Sequence, residues 1–221
     1  MLITTIICNY NYGKYISTAI ESALNQTIPT DIIVIDDGSN DNSIEIIKSY
    51  PVKLLHTPNL GPSSARNLGI QNSLESDAWA ILDADDWWEL NRLEICKAYI
   101  ESGIGAIYNN YFTIDENNNY SPEYKEPFSY SKLLKECIVH SGCIITKEAI
   151  IDILKDGYIY DPAMRTCEDY DLWIRIAKKF TIAHVAEFLT YVRIHSQNST
   201  NTVSKEIWNQ NWNRIRKKML Q

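Results

Sequence analysis

The chain has 221 residues, 21 Lys+Arg against 28 Asp+Glu, and a formal net charge of -7. Its length and 45% hydrophobic content fit one large folded domain and exclude wholesale disorder. The acidic balance excludes a general nucleic-acid binder, which needs a basic face. Five scattered cysteines, Cys8, Cys96, Cys137, Cys143 and Cys167, form no CxxC pair and read as reduced thiols of a cytoplasmic protein. No basic region precedes the apolar N-terminus, so no signal peptide is expected, and no apolar run reaches the ~20 residues of a membrane span.

The first half alternates in period. Residues 2–8 form an apolar β-branched run, the pattern of a buried strand. Ile16, Ile20, Ala23 and Leu24 then recur at helical spacing. Strands are predicted at 31–36, 52–56 and 78–82, with helices at 43–50, from Gly61-Pro62-Ser63 onward, and across Leu93, Cys96 and Ile100. Short connections between alternating strands and helices predict a parallel sheet covered on both faces. In such sheets ligands bind beyond the carboxyl ends of the strands. Polar and acidic residues stand at those ends here: Asn9-Tyr10-Asn11-Tyr12, Asp36-Asp37-Gly38-Ser39 and Asp83-Ala84-Asp85-Asp86.

The second half reads as a continuation with mixed strand directions. It has strands at 105–112 and 139–146, a loop at 115–127, and a helix carrying Leu172, Trp173, Ile176 and Phe180. Residues 108–112, the Tyr-rich segment 120–130 and 140–143 are further ligand-contact candidates. Residues 205–221 place Trp208, Trp212, Ile215 and Met219 on one helical stripe beside Arg214, Arg216, Lys217 and Lys218. A basic amphipathic helix with Trp can lie on an anionic membrane; a helix closing the domain explains the same pattern.

Several clusters carry chemistry, each with a plainer explanation beside it. Asp83, Asp85 and Asp86 repel one another unless a cation offsets them, and oxygen-only ligands suit Mg²⁺ or Mn²⁺. An acidic turn with Asp86 capping the next helix is the alternative. Tyr10 offers a face for a base, or is a half-buried strand end. Arg66 can bond a base or phosphate, or be an ordinary surface arginine. Glu168-Asp169 can be a general base at a helix start, or acidic residues favouring the helix dipole. Walker, GxGxxG, GxSxG and HExxH patterns are all lacking.

Taken in order, IICNYNYGKYISTAIESALNQT, VIDDGSNDNS, NLGPSSARNLGI, LDADDWW, CEDYDLWIRIA and YVRIHSQNS resemble the inverting family 2 glycosyltransferases of the GT-A fold, over nearly the whole chain. The resemblance implies an α/β fold with a mixed, Rossmann-like central sheet in a single domain, residues 1–203. Its nucleotide-sugar half would be 1–103 and its acceptor half 104–203, with a C-terminal helix at 204–221. It implies transfer of a sugar, with inversion, from a nucleotide-sugar such as a UDP-sugar. The acceptor would be a glycan or lipid-linked saccharide of surface polysaccharide synthesis. Cys8, Tyr10, Asp37 and Arg66 would line the nucleotide base and Asp83 the ribose. Asp85 would hold Mn²⁺ or Mg²⁺, with His195 a looser second metal contact, and Asp169 would be the catalytic base. Cys8 replaces a more usual small or hydroxyl residue, and Trp87-Trp88 is bulky for its place. A sugar-nucleotidyltransferase is the alternative enzyme, although residues 2–15 lack the Gly-rich, basic triphosphate loop. A non-catalytic nucleotide-sugar-binding subunit is the other alternative. The expected setting is the cytoplasm, with peripheral membrane contact through residues 205–221.

Overall fold

The computed structural model describes residues 1–219. Its strands are β1 (Ile3–Asn9), β2 (Asp31–Asp36), β3 (Lys53–His56), β4 (Ala78–Asp83), β5 (Trp87–Trp88), β6 (Ile104–Ile114), β7 (Tyr120–Glu123), β8 (Ile144–Thr146) and β9 (Thr181–Arg193). Its helices are α1 (Ile16–Leu24), α2 (Ser43–Lys48), α3 (Pro62–Gln71), α4 (Arg92–Lys97), α5 (Tyr130–Leu133), α6 (Lys147–Ile153), α7 (Glu168–Ala177), α8 (Ser199–Thr202) and α9 (Lys205–Met219).

All nine strands join one sheet in the order β3-β2-β1-β4-β8-β6-β9-β5, with β7 paired to the outer part of β6. The first four strands are parallel, as the alternation predicts. Then β8 runs antiparallel to both β4 and β6, and β9 lies parallel to β6. The sheet is therefore mixed, and helices cover both faces. Strand alternation divides the core. Ile6 of β1 packs on the α3, α6 and α7 side with Trp79, Ile81, Tyr108 and Trp173. Ile3 and Ile7 pack on the α1 and α4 side with Ile16, Ile20, Leu82 and Leu93. The buried threonines of β1 are satisfied by hydroxyl partners, Thr4 with Ser76 at 2.6 Å and Thr5 with Thr30 at 2.9 Å.

The structure departs from the sequence expectation at four points, three of them in the second half. The expected strand at 139–146 is shortened to Ile144–Thr146, because residues 140–143 turn to present the Ser141 hydroxyl and the Gly142 carbonyl to neighbours. The expected loop at 115–127 contains β7, a hairpin return on β6. The 13-residue β9 was not foreseen, since His184, Glu187, Thr190 and Arg193 interrupt its apolar alternation. Asp86 does not cap the next helix; Asn91 stands at that position, and the Asp86 carboxylate accepts from the Arg193 backbone N–H at 2.9 Å.

The C-terminal α9 lies on the domain. Ile215 is 1% exposed, and Trp208, Trp212 and Met219 pack against the core cluster on the α7 side. The apolar stripe thus packs on the domain, with Ile215 buried and Trp208, Trp212 and Met219 half-buried. Among the described residues no helix is long and apolar enough to cross a membrane.

One close approach seats α7 on the sheet. A Cβ at Gly105 of β6 would lie 2.5 Å from Ile176 Cγ2 and 2.7 Å from Phe180 Cβ. Gly105→Ala is expected to lower stability by about 1–3 kcal/mol through overpacking. Urea denaturation measures it, and an unchanged midpoint contradicts the close fit.

Candidate active site

The loops leaving β1, β2, β3 and β4 meet at one edge of the sheet, where they cross-link. Asn9 donates its amide to Asp36 Oδ2 at 2.8 Å and to Ser39 Oγ at 3.1 Å. The Asn11 backbone N–H donates to Ser39 Oγ at 2.8 Å. The NYN and DDGS segments are therefore one rigid rim. Tyr10 projects from it, 43% exposed, with an aromatic face open to a ligand. Behind it, burial pushes the Cys8 thiol up to about 12, helped by neighbouring carboxylates and opposed by Arg66, so it stays neutral and unreactive.

Asp37 is 6% exposed and is engaged by its own protein. Oδ1 accepts from Thr57 Oγ1 at 2.6 Å and from Leu60 N–H at 2.7 Å, and Oδ2 accepts from Gly61 N–H at 2.7 Å. This carboxylate shapes the turn before α3. One acceptor position on Oδ2 is left.

Arg66 is the junction of the site. It is 5% exposed, so the surface alternative is excluded. Nη2 donates to Asp83 Oδ1 at 2.9 Å and Nη1 to Glu168 Oε1 at 2.5 Å. A buried arginine fork suits two carboxylates. The consequence is spatial: the DADD turn after β4 and the ED start of α7, more than 80 residues apart in sequence, meet on one guanidinium. Glu168 is thereby an ion-pair partner as well as a first-turn acid, a role that motif spacing did not reveal. Ser141 Oγ holds the other oxygen of Asp83 at 2.8 Å. Each Asp83 oxygen keeps a free acceptor position for a ligand hydroxyl.

Asp85 and His195 are brought together as the resemblance implies. Asp85 Oδ2 accepts from His195 Nε2 at 3.0 Å and from Asn198 Nδ2 at 3.0 Å. Gln197 N–H donates to His195 Nδ1 at 3.2 Å, so the network assigns the ring hydrogen to Nε2. Among the described residues no hydrogen bond from another residue reaches Asp85 Oδ1. Burial, then the charge of Asp83, raises the Asp85 pKa, with His195 opposing. Burial, then Asp85 and Asp83, holds Asp86 well above the carboxylate range. Three crowded carboxylates with an open oxygen fit a divalent cation, whose charge would reverse those shifts. Among the described residues no group of three or more His, Cys, Asp or Glu is arranged to hold a metal by itself. An ion here would need ligand oxygens from a bound molecule, the habit of Mg²⁺ and Mn²⁺ with phosphates.

Asp169 follows Cys167, a non-glycine residue at φ 58°, and Glu168. Such backbone is strained and persists only where the surroundings enforce it. Tyr170 N–H donates to Asp169 Oδ1 at 2.7 Å, and no other residue's hydrogen bond reaches Oδ2 among the described residues. Burial raises the Asp169 pKa to about 7, Glu168 and Asp83 add to the rise, and Arg66 opposes it. A carboxylate with one open oxygen, titrating near neutrality beside the acidic turn, has the properties of a general base.

The wider setting escaped motif reading. The Arg193 guanidinium lies 4.8 Å from the Tyr15 ring centroid and 4.7 Å from that of Trp87. Its Nε donates to the Asp85 carbonyl at 3.2 Å. Tyr15 packs on His195 with centroids 4.9 Å apart. These rings wall the His195–Asp85 pair. Trp87, bulky for its place in sequence, stacks on Tyr191 at 5.0 Å. Of the further ligand-contact candidates, Tyr108 is fully buried, while Tyr120 and Tyr124 are 56% and 74% exposed.

Comparison with known proteins agrees with this arrangement. The family described as Glycosyl transferase family 2 matches residues 4–152. MJ1057 of Methanocaldococcus jannaschii, named a glycosyltransferase, is 33% identical over 215 residues, covering 90% of this chain and 72% of its own length. A Rickettsia bellii glycosyltransferase is 31% identical, and the chain covers 29% of it. WfgD of Escherichia coli is 29% identical over 192 residues, covering 83% of this chain and 73% of that one; it is named a UDP-Glc:alpha-D-GlcNAc-diphosphoundecaprenol beta-1,3-glucosyltransferase. Among solved structures, S. aureus TarS with UDP-GlcNAc has a TM-score of 0.76 at 18% identity, covering 95% of this chain and 64% of that one. The mannosyltransferase PcManGT of Pyrobaculum calidifontis, with GDP-Man and Mn²⁺, has a TM-score of 0.66 at 16% identity, covering 89% and 58%. The chain thus spans less than two thirds of those solved chains, which share its GT-A fold. With its sheet, its DADD and ED segments and these relatives in agreement, the chain belongs to glycosyl transferase family 2.

Proposed function

We propose that this chain transfers a sugar, with inversion, from a UDP-sugar to a hydroxyl of a glycan or lipid-linked acceptor. The observation that carries the reading is the Arg66 bridge, which joins the DADD turn at Asp83 to the ED pair at Glu168 through one guanidinium. Residues 1–103 would form the nucleotide-sugar half and 104–203 the acceptor half.

The base would stack on Tyr10 above Cys8, with the open Asp37 Oδ2 position available to a ring N–H. Asp83 would accept from ribose hydroxyls. Asp85 and His195 would hold Mn²⁺ or Mg²⁺. When bound, the cation supplies positive charge to the diphosphate leaving group. Asp169 would take the proton of the acceptor hydroxyl through Oδ2. The new bond forms at the anomeric carbon as its bond to the diphosphate oxygen breaks, and the electron pair leaves with the diphosphate. One displacement inverts the centre without a covalent enzyme intermediate. The name of WfgD favours a lipid-linked diphosphate saccharide as acceptor and a role in surface polysaccharide synthesis. A sugar-nucleotidyltransferase is disfavoured by residues 2–15, which supply no basic Gly-rich phosphate loop. A non-catalytic subunit is disfavoured by the presence together of Asp83, Asp85 and Asp169.

Calorimetric titration with UDP, with and without Mn²⁺, tests the donor site. Metal-dependent binding that Asp85→Ala abolishes is the expected result, and no binding under either condition contradicts it. Asp169→Asn is expected to lower turnover about 10²–10⁴-fold with UDP affinity kept, the range of general-base catalysis. Wild-type turnover would refute the base assignment. A raised carboxylate must lose its proton to act as base, so kcat/KM should fall as pH drops through about 7. A profile flat down to pH 5 contradicts that. Arg66→Met leaves Asp83 and Glu168 without their shared counter-charge. It should cost about 3 kcal/mol of stability, the low end for a broken buried pair because Asp83 is partly solvated. It should also weaken UDP binding; urea denaturation and calorimetry check both.

A further inference from the structure

The loop and helix start that present Asp169 are gripped from outside by α9. Asn211, 6% exposed, donates its side-chain amide to the Thr166 carbonyl at 3.0 Å and to Thr166 Oγ1 at 2.7 Å. Trp212 meets the Tyr170 ring edge-on with centroids 5.1 Å apart. Lys218 Nζ donates to Asp161 Oδ2 at 2.9 Å and to Asp171 Oδ1 at 2.6 Å. Arg214 Nε adds a 3.0 Å bond to the same Asp161 oxygen. These partners, at 161, 166, 170 and 171, bracket residues 167–169 on both sides. Within the bracket Cys167 holds φ 58°. Left-handed backbone at a non-glycine residue is strained and relaxes unless neighbours hold it. On the inner side Arg66 holds Glu168; on the outer side α9 holds the residue before the strained turn and the helix after it.

We infer that α9 is a working part of the catalytic site, a strap whose Asn211 positions the general base through Thr166 and the Cys167 turn. The inference rests on the reading of Asp169 as that base. Asn211 touches no reacting atom, so it is a positioning residue. Without its amide the Thr166 carbonyl is a buried acceptor lacking a partner, and the turn can relax toward negative φ. Asp169 then moves relative to the cleft, while the rim at Tyr10, Asp37 and Asp83 stays in place. A misplacement of about 1 Å can cost 10²-fold in rate. The expected signature is loss of turnover without loss of donor affinity, which general loosening of the fold would not produce.

The test uses the full chain carrying Asn211→Ala or the isosteric Asn211→Asp, which keeps the shape and loses the donor. Slow hydrolysis of UDP-glucose and UDP-N-acetylglucosamine with Mn²⁺ gives kcat and KM, calorimetry with UDP and Mn²⁺ gives the Kd, and a thermal melt reports folding. Should neither Asn211 variant fold, Lys218→Met tests the same strap through its ion pairs to Asp161 and Asp171. The strap predicts kcat lowered by about 10–100-fold with UDP affinity within about twofold of wild type. Wild-type kcat in a folded variant overturns it, as does a kcat loss matched by an equal loss of UDP affinity. Asp169→Asn is measured beside these. If it is inactive while the Asn211 and Lys218 variants are normal, only the strap fails; if it turns over normally, the base reading fails and the strap falls with it.

Discussion

A single guanidinium carries the site. Arg66 stands on α3, which follows β3 in the chain and packs on β1 and β2, and it reaches the carboxylates that end β4 and begin α7. Like charges crowded at the end of a strand would push apart if left alone. The fork lets Asp83 and Glu168 approach, and it limits the rise in the Asp169 pKa that burial and Glu168 create. Remove that charge, and the two acidic segments have no electrostatic reason to share a cleft. The parallel strands supply the other constraint, since every loop leaving β1 to β4 emerges at the same edge of the sheet.

The acidic cluster divides its labour by environment. Asp83 has a cationic partner and room for two further donors. Asp85 has one oxygen saturated by His195 and Asn198 and the other open. Asp86 is turned to the backbone of Arg193 and ties the turn to the end of β9. One short turn thus offers a carboxylate with room for further donors, a carboxylate with one open oxygen and a structural tie. The aromatic walls of Tyr15 and Trp87 about Arg193 hold the His195 end of this arrangement.

The parallel half was legible in the sequence because β1, β2 and β4 are buried on both faces and read as unbroken apolar runs, 31–36 matching its observed bounds. The antiparallel half was less so. β9 has one face against the core and polar residues along the other, and β5 has only two residues, so neither gives a periodic signal. Motif order placed Asp85 beside His195, and Asp169 near the DADD turn. It did not show that Asp37 braces the turn before α3, or that Glu168 is the second arm of the Arg66 bridge. Those are three-dimensional hydrogen bonds between segments 20 to 102 positions apart, for which linear spacing carries no information. The ambiguity of the tail was physical too: an amphipathic stripe needs an apolar partner, and only the packing shows that the domain itself provides it.

The central claim is that the DADD turn and the ED carboxylates face each other across one donor site. Crystals grown with UDP and Mn²⁺, measured for manganese anomalous scattering, test it most directly. The account predicts an anomalous peak bonded to Asp85, the diphosphate beside it, uracil against Tyr10, and Asp169 facing the position of the absent sugar. UDP bound away from Tyr10, or a manganese peak remote from Asp85, contradicts it.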